Sequence, residues 1–196
     1  MNTLSELFTD NDLLYIIRTL LPENRKSSHM LRVLREDRDI LEGMINDPAL
    51  LTKINTDNDE LLEVSPALLF AVLINAVRRD LKELRFTMEQ DNRDMVAVFD
   101  SAQVQEFFEQ PAIRLYLISM LSSFVKINSY AIPVRVRKGL WHKYRYSDFN
   151  IESLIRHIDL LEPDEQFSTL KRIADLCLFI TGLFPETLLP EQSSFC

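Results

Sequence analysis

Residues 65–81 read SPALLFAVLINAVRRDL. Serine is a good N-cap, and proline suits the first helical position, where its missing N–H is not needed. From Leu68 to Val77 only Asn75 interrupts the apolar side chains. A helix this apolar is expected to be buried on nearly all sides. It turns amphipathic at Arg78, Arg79 and Asp80, and it is read as the central helix of the fold. The apolar run Pro66 to Val77 is too short to span a bilayer as a helix.

Outward from this helix, the eight prolines fall between periodic segments. Proline breaks a helix interior, so these positions read as joints. The spacing predicts a helix over 10–20, capped by Thr9 and stopped by Pro22, with Leu13, Leu14 and Ile17 on its inner face. Met30 to Ile45 reads as one long helix or two short ones, with the charge run at 35–39 as a solvated face. Ala49 to Lys53 reads as a short helix. Met95 to Phe99 is short and β-prone. Further helices are predicted after Asp100, after Gln110 and after Asn150, the last with Ile151, Leu154, Ile155 and Ile158 inward. The final long helix begins at Pro163 and stops at Gly182. The three glycines are few for hairpin-rich or phosphate-cradling folds. The reading is an all-α, multi-helix globular bundle, a single domain over 1–196, with one small β-hairpin near 132–146.

The chain has 196 residues, 46% apolar and 27% charged, with net charge −8. That composition builds an ordinary globular core. Cys177 and Cys196 give no disulfide framework; Cys177, in an apolar helical stretch, is expected to be a small buried hydrophobe. The first residues, MNTLSELFTDND, lack the basic and apolar regions of a leader peptide. A soluble cytoplasmic protein without a membrane partner is expected.

Two stretches resemble a known group. Ser65-Pro66-Ala67-Leu68-Leu69-Phe70 and the segment from Arg172 through Asp175, Leu178, Phe179, Thr181, Gly182 and Phe184 to Pro185 are similar to the S-P-x-L-x-F and R-x-x-D-x-x-L-F-x-T/S-G-x-F-P motifs of a family of uncharacterised prokaryotic helical proteins. Ala174 stands where that group has glycine. The resemblance implies an all-helical soluble protein and supplies no activity.

Charge is unevenly distributed. Residues 134–146 read VRVRKGLWHKYRY, and no acidic residue occurs between Glu109 and Asp148. Arg135, Arg137, Lys138, Lys143 and Arg145 gather there with Trp141. Val134 and Val136 alternate with Arg135 and Arg137, Lys138-Gly139 supplies a turn, and Leu140 to Tyr146 returns. The return strand would place Trp141, Lys143 and Arg145 on one face, and Leu140, His142, Tyr144 and Tyr146 on the other. Cations beside aromatic faces suit phosphates and bases, or an acidic protein surface. The plainer reading is that the cations meet carboxylates of the same chain and the aromatics are packing.

Arg172 and Asp175 are three apart on an apolar helix, which predicts a buried polar pair. The functional reading is a buried acid in an enzyme's helical pocket; the structural one, an ion pair. His29, His142 and His157 form no metal motif, and the common hydrolase and nucleotide fingerprints are absent. No catalytic set, cofactor or metal is predicted. The sequence therefore reads as a non-enzymatic binding or assembly protein with an anion-facing surface at 135–145, whose partner is nucleic acid or an acidic protein. Leu188, Leu189 and Phe195, beyond the last helix, add the expectation of a homodimer.

Overall fold

The structure, a computed structural model, describes residues 3–23, 27–56, 62–83, 86–91 and 94–184; for residues 27, 86–101, 132, 134–136 and 140–142 the backbone alone is described. It divides into two compact units, Met1–Ser123 and Phe124–Cys196. It is mainly helical, with two small antiparallel hairpins where the sequence had predicted one.

The first unit begins with α1 (Leu4–Leu7), α2 (Asp10–Leu20), α3 (Ser27–Glu36), α4 (Arg38–Ile45) and α5 (Pro48–Thr56). The segment 30–45 is two helices, because Asp37 caps the second by accepting from the Asp39 and Ile40 amides. The central helix α6 (Pro66–Glu83) is followed by strands β1 (Phe86–Asp91) and β2 (Asp94–Asp100), then α7 (Ser101–Glu109) and α8 (Pro111–Phe124). The second strand contains the β-prone MVAVF.

Ser65 caps α6 by accepting from the Leu68 amide. The same junction is tied to α2 by a buried carboxylate. Asp12 accepts from the Thr9 amide and hydroxyl through Oδ2, and from the Ser65 amide at 2.7 Å through Oδ1. Three donors compensate a group that would otherwise be costly to bury. The core packs Leu13, Ile16 and Ile17 of α2, Leu41 and Ile45 of α4, and Leu50 and Ile54 of α5 against Leu68, Ala71 and Val72 of α6. Burial of α6 is less complete than expected: Leu73 and Val77, one turn apart, are exposed.

The second unit starts at the last residue of α8. It contains β3 (Ser129–Arg137), β4 (Leu140–Ser147), α9 (Ile151–Ile158), a 3-10 turn (Pro163–Glu165) and α10 (Gln166–Leu183). Asn150 caps α9 by accepting from the Ser153 amide at 2.7 Å. Leu154 is buried in that helix, whereas Ile155 is exposed. Phe124, Phe149 and Phe179 form an aromatic cluster, with Phe124 and Phe179 centroids 4.6 Å apart.

Two expectations for α10 are corrected. Cys177 is exposed. The helix buries Thr169 and Leu176 and half-buries Arg172 and Phe179, so Cys177 falls on the other side; a helix apolar all round does not announce which side is inward. Gly182 lies inside the helix, which ends where the Phe184 amide donates to the Ile180 carbonyl at 2.8 Å. Among the described residues, no helix is long and apolar enough to cross a membrane.

Candidate functional site

The basic segment forms the hairpin β3–β4. Register pairs Ser129 with Ser147, Tyr130 with Tyr146, Pro133 with Lys143, and Arg135 with Trp141, then shifts at a bulge before Arg137 meets Leu140. Lys138 and Gly139 make the turn. Gly139 has φ +82°, a conformation that a Cβ would strain. The base is fixed by Asp148. Its Oδ1 accepts from the Asn128 amide and its Oδ2 from the Asn128 side chain, while its carbonyl accepts from Arg172 Nε at 3.0 Å.

The two faces of the hairpin differ in use. Tyr130 and Tyr146, opposite in register, stack with centroids 5.1 Å apart. Tyr146 stacks on His157 of α9 at 3.8 Å, and the Tyr144 hydroxyl donates to the Ser153 carbonyl. This face packs on α9. Burial raises the pKa of Tyr146, and Tyr130 and Asp148 add to the shift, so the phenol stays neutral. His157 is buried, and its Nδ1 has no hydrogen-bond partner among the described residues; burial lowers its pKa. Tyr144 and Tyr146 therefore serve chiefly as packing.

Alternation places Lys143 and Arg145 on the opposite face, and both are exposed, as are Arg137 and Lys138 at the turn. None of these four cations is paired with a carboxylate among the described residues. Elsewhere arginines find acids: Arg18 with Glu63, Arg35 with Asp10, Arg156 with Glu152. The carboxylate at the hairpin base, Asp148, is engaged by Asn128 and Arg172. The side chains of Arg135 and Trp141 lie outside the described residues; their positions belong to the same face as Lys143 and Arg145.

Arg172 and Asp175 each take part in an ion pair. Asp175 is buried, and its Oδ2 accepts from Lys171 Nζ at 2.6 Å. Arg172 lies 3.6 Å from Asp148 Oδ2, with its guanidinium 4.1 Å from the Phe124 ring centroid. Arg172 thus ties α10 to the base of the hairpin, whereas the Lys171–Asp175 pair lies within α10 itself. Lys171 and Asp148, the partners seen here, were not singled out in the sequence; the four-residue spacing from Lys171 to Asp175 was the available signal. Among the described residues no group of three or more His, Cys, Asp or Glu is arranged to hold a metal ion. Compared with known protein families, curated proteins and solved structures, the chain matches none.

Proposed function

We propose that this is a non-enzymatic binding protein whose hairpin β3–β4 presents a cationic face to a polyanion, with nucleic acid the first candidate. The supporting observation is that Arg137, Lys138, Lys143 and Arg145 are exposed without carboxylate partners among the described residues. A net charge of −8 already serves solubility, so an acid-free cationic ribbon calls for another explanation. A two-stranded ribbon also fits the width of a nucleic-acid groove, where phosphates flank it on both sides. With Tyr144 and Tyr146 packed on α9, phosphate contact rather than base stacking carries the interaction. The rival reading, an enzyme using Asp175, has less support: that carboxylate is buried and held by Lys171.

The test is fluorescence anisotropy with single- and double-stranded DNA and RNA, using the intact chain and a variant with Arg135, Arg137, Lys138, Lys143 and Arg145 changed to alanine. Engagement of about four phosphates predicts a log–log salt slope near −4 on a duplex, and the variant should lose it. Equal binding by both proteins, or by neither, rejects nucleic acid. Salt-sensitive binding of polyglutamate alone would point to an acidic protein partner.

A further inference from the structure

The first unit holds a different concentration of charge, around a cleft of about 350 Å³. Its polar wall is Arg38, Glu42, Asn75 and Arg114, and its apolar wall includes Leu4, Leu115 and Ile118. Arg114 is buried and fixed. Its Nη1 donates to the Phe108 carbonyl at 2.8 Å and the Glu109 carbonyl at 3.0 Å, and its Nη2 donates to Glu42 Oε2 at 3.1 Å. The other oxygen of Glu42 accepts from Arg38 Nε at 2.9 Å. One carboxylate therefore serves two guanidiniums.

The shortage of negative charge extends behind them. Glu109 lies 3.2 Å from Lys82 Nζ and 3.9 Å from Arg78 Nη1. Burial alone would raise the pKa of Glu109, but the hydrogen bond from Lys82 and the charges of Arg78, Lys82 and Arg114 together lower it. Arg78 Nε is buried without a hydrogen-bond partner among the described residues. Arg38, Arg78, Lys82 and Arg114 thus share Glu42 and Glu109. Pro111 and Ala112, the first residues of α8, also line the cleft, adding the partial positive charge of a helix start. Positive excess in a partly desolvated cleft favours an anionic guest. Asn75 specifies more. It is buried on the central helix and donates Nδ2 to the Ala71 carbonyl, while its Oδ1 accepts no hydrogen bond among the described residues.

We propose that the cleft binds a small organic carboxylate carrying a hydrogen-bond donor and a short apolar body. The carboxylate faces Arg38 and Arg114, whose planar forks match it. The donor meets Asn75 Oδ1, and the apolar body lies along Leu4, Leu115 and Ile118. The volume suits a molecule of that size. Every residue of this site belongs to the first unit.

Calorimetric titration of the full chain with mandelate, phenylacetate, mandelamide and inorganic phosphate tests this. Mandelate should bind saturably. Phenylacetate, lacking the hydroxyl donor, should bind about threefold to tenfold more weakly. Mandelamide, lacking the charge, should not bind. Arg38→Gln should weaken mandelate by about tenfold or more, with an unchanged circular dichroism spectrum, because that side chain is 57% exposed. Glu42→Gln removes the competing carboxylate and should tighten mandelate severalfold, which keeps the test decisive if Arg38→Gln fails to fold. The hairpin alanine variant should bind mandelate like the parent. The proposal is overturned by no saturable carboxylate binding up to about 10 mM, by equal binding of mandelate and mandelamide, by phosphate binding in their place, or by a Glu42→Gln variant no tighter than the parent.

Discussion

At the scale of single residues, the structure shows how polar groups are kept inside a mainly apolar fold, and His157 is one exception, the one that reports on pH. Asp12 receives three donors and Asp175 an ammonium, whereas His157 Nδ1 is buried without a hydrogen-bond partner among the described residues. Burial lowers its pKa from the ordinary 6.5, so the unfolded chain accepts a proton that the folded chain resists. The histidine therefore carries no penalty above the unfolded value; stability is lost as pH falls below it and stops falling once pH is under the folded value. Urea midpoints measured between about pH 7.5 and 5 should decline more steeply for the parent than for His157→Phe, which retains the ring stack on Tyr146. Parallel profiles would mean that His157 titrates equally in both states. None of this was legible in the sequence, where His157 was noted only as forming no metal motif. The Tyr146 ring that buries it comes from a strand whose register no local pattern fixes against α9. The cleft was hidden for a similar reason: Arg114 and Glu42 are 72 positions apart, and Arg38 belonged to a run read as solvated.

At the scale of elements, capping and turn chemistry were the legible signals. Thr9, Ser65 and Asn150 start helices as their side chains predict, since each accepts from the amide three residues on. The β3–β4 hairpin was legible from Lys138-Gly139 between alternating segments. The β1–β2 hairpin was half legible: MVAVF was β-prone, but its partner FTMEQD has neither a glycine turn nor a clean alternation. The glycines give opposite expectations. Gly139 sits at φ +82° in the turn, so Gly139→Ala should cost about 1–2 kcal/mol. Gly43 lies inside helix α4, and an added Cβ there meets nothing within 4 Å. Gly43→Ala should instead stabilise by about 0.5–1 kcal/mol. Denaturant midpoints of the two variants must move in opposite directions. A neutral Gly139→Ala would mean that the turn tolerates a side chain and does not fix the ribbon's register.

At the scale of the whole molecule, the two compact units were not anticipated by a linker, because the division falls at the last residue of α8 rather than in a loop. The sequence reading of one domain over 1–196 rested on that missing linker, and the proline joints mark helix ends without regard to which unit a helix joins. The expectation of a homodimer can be tested on the exposed side of α10. Phe167, Leu170 and Leu178 are 76%, 51% and 47% exposed, and with the small Ala174 between them they recur at helical spacing, forming one row along the helix. Leu188, Leu189 and Phe195, which first prompted the expectation of a homodimer, lie outside the described residues, so the row on α10 is now its footing. An isologous pair of such rows, each helix facing its copy, is the simplest closed arrangement that covers them. Sedimentation equilibrium at high micromolar concentration should then show a dimer, and Leu170→Glu should return it to monomer by placing like charges on both sides of the two-fold axis. Salt separates this contact from the hairpin's. An apolar interface holds or tightens as salt rises, whereas phosphate contacts weaken steeply. A parent protein that stays monomeric at that concentration, or a Leu170→Glu variant that dimerises equally well, removes α10 as the interface.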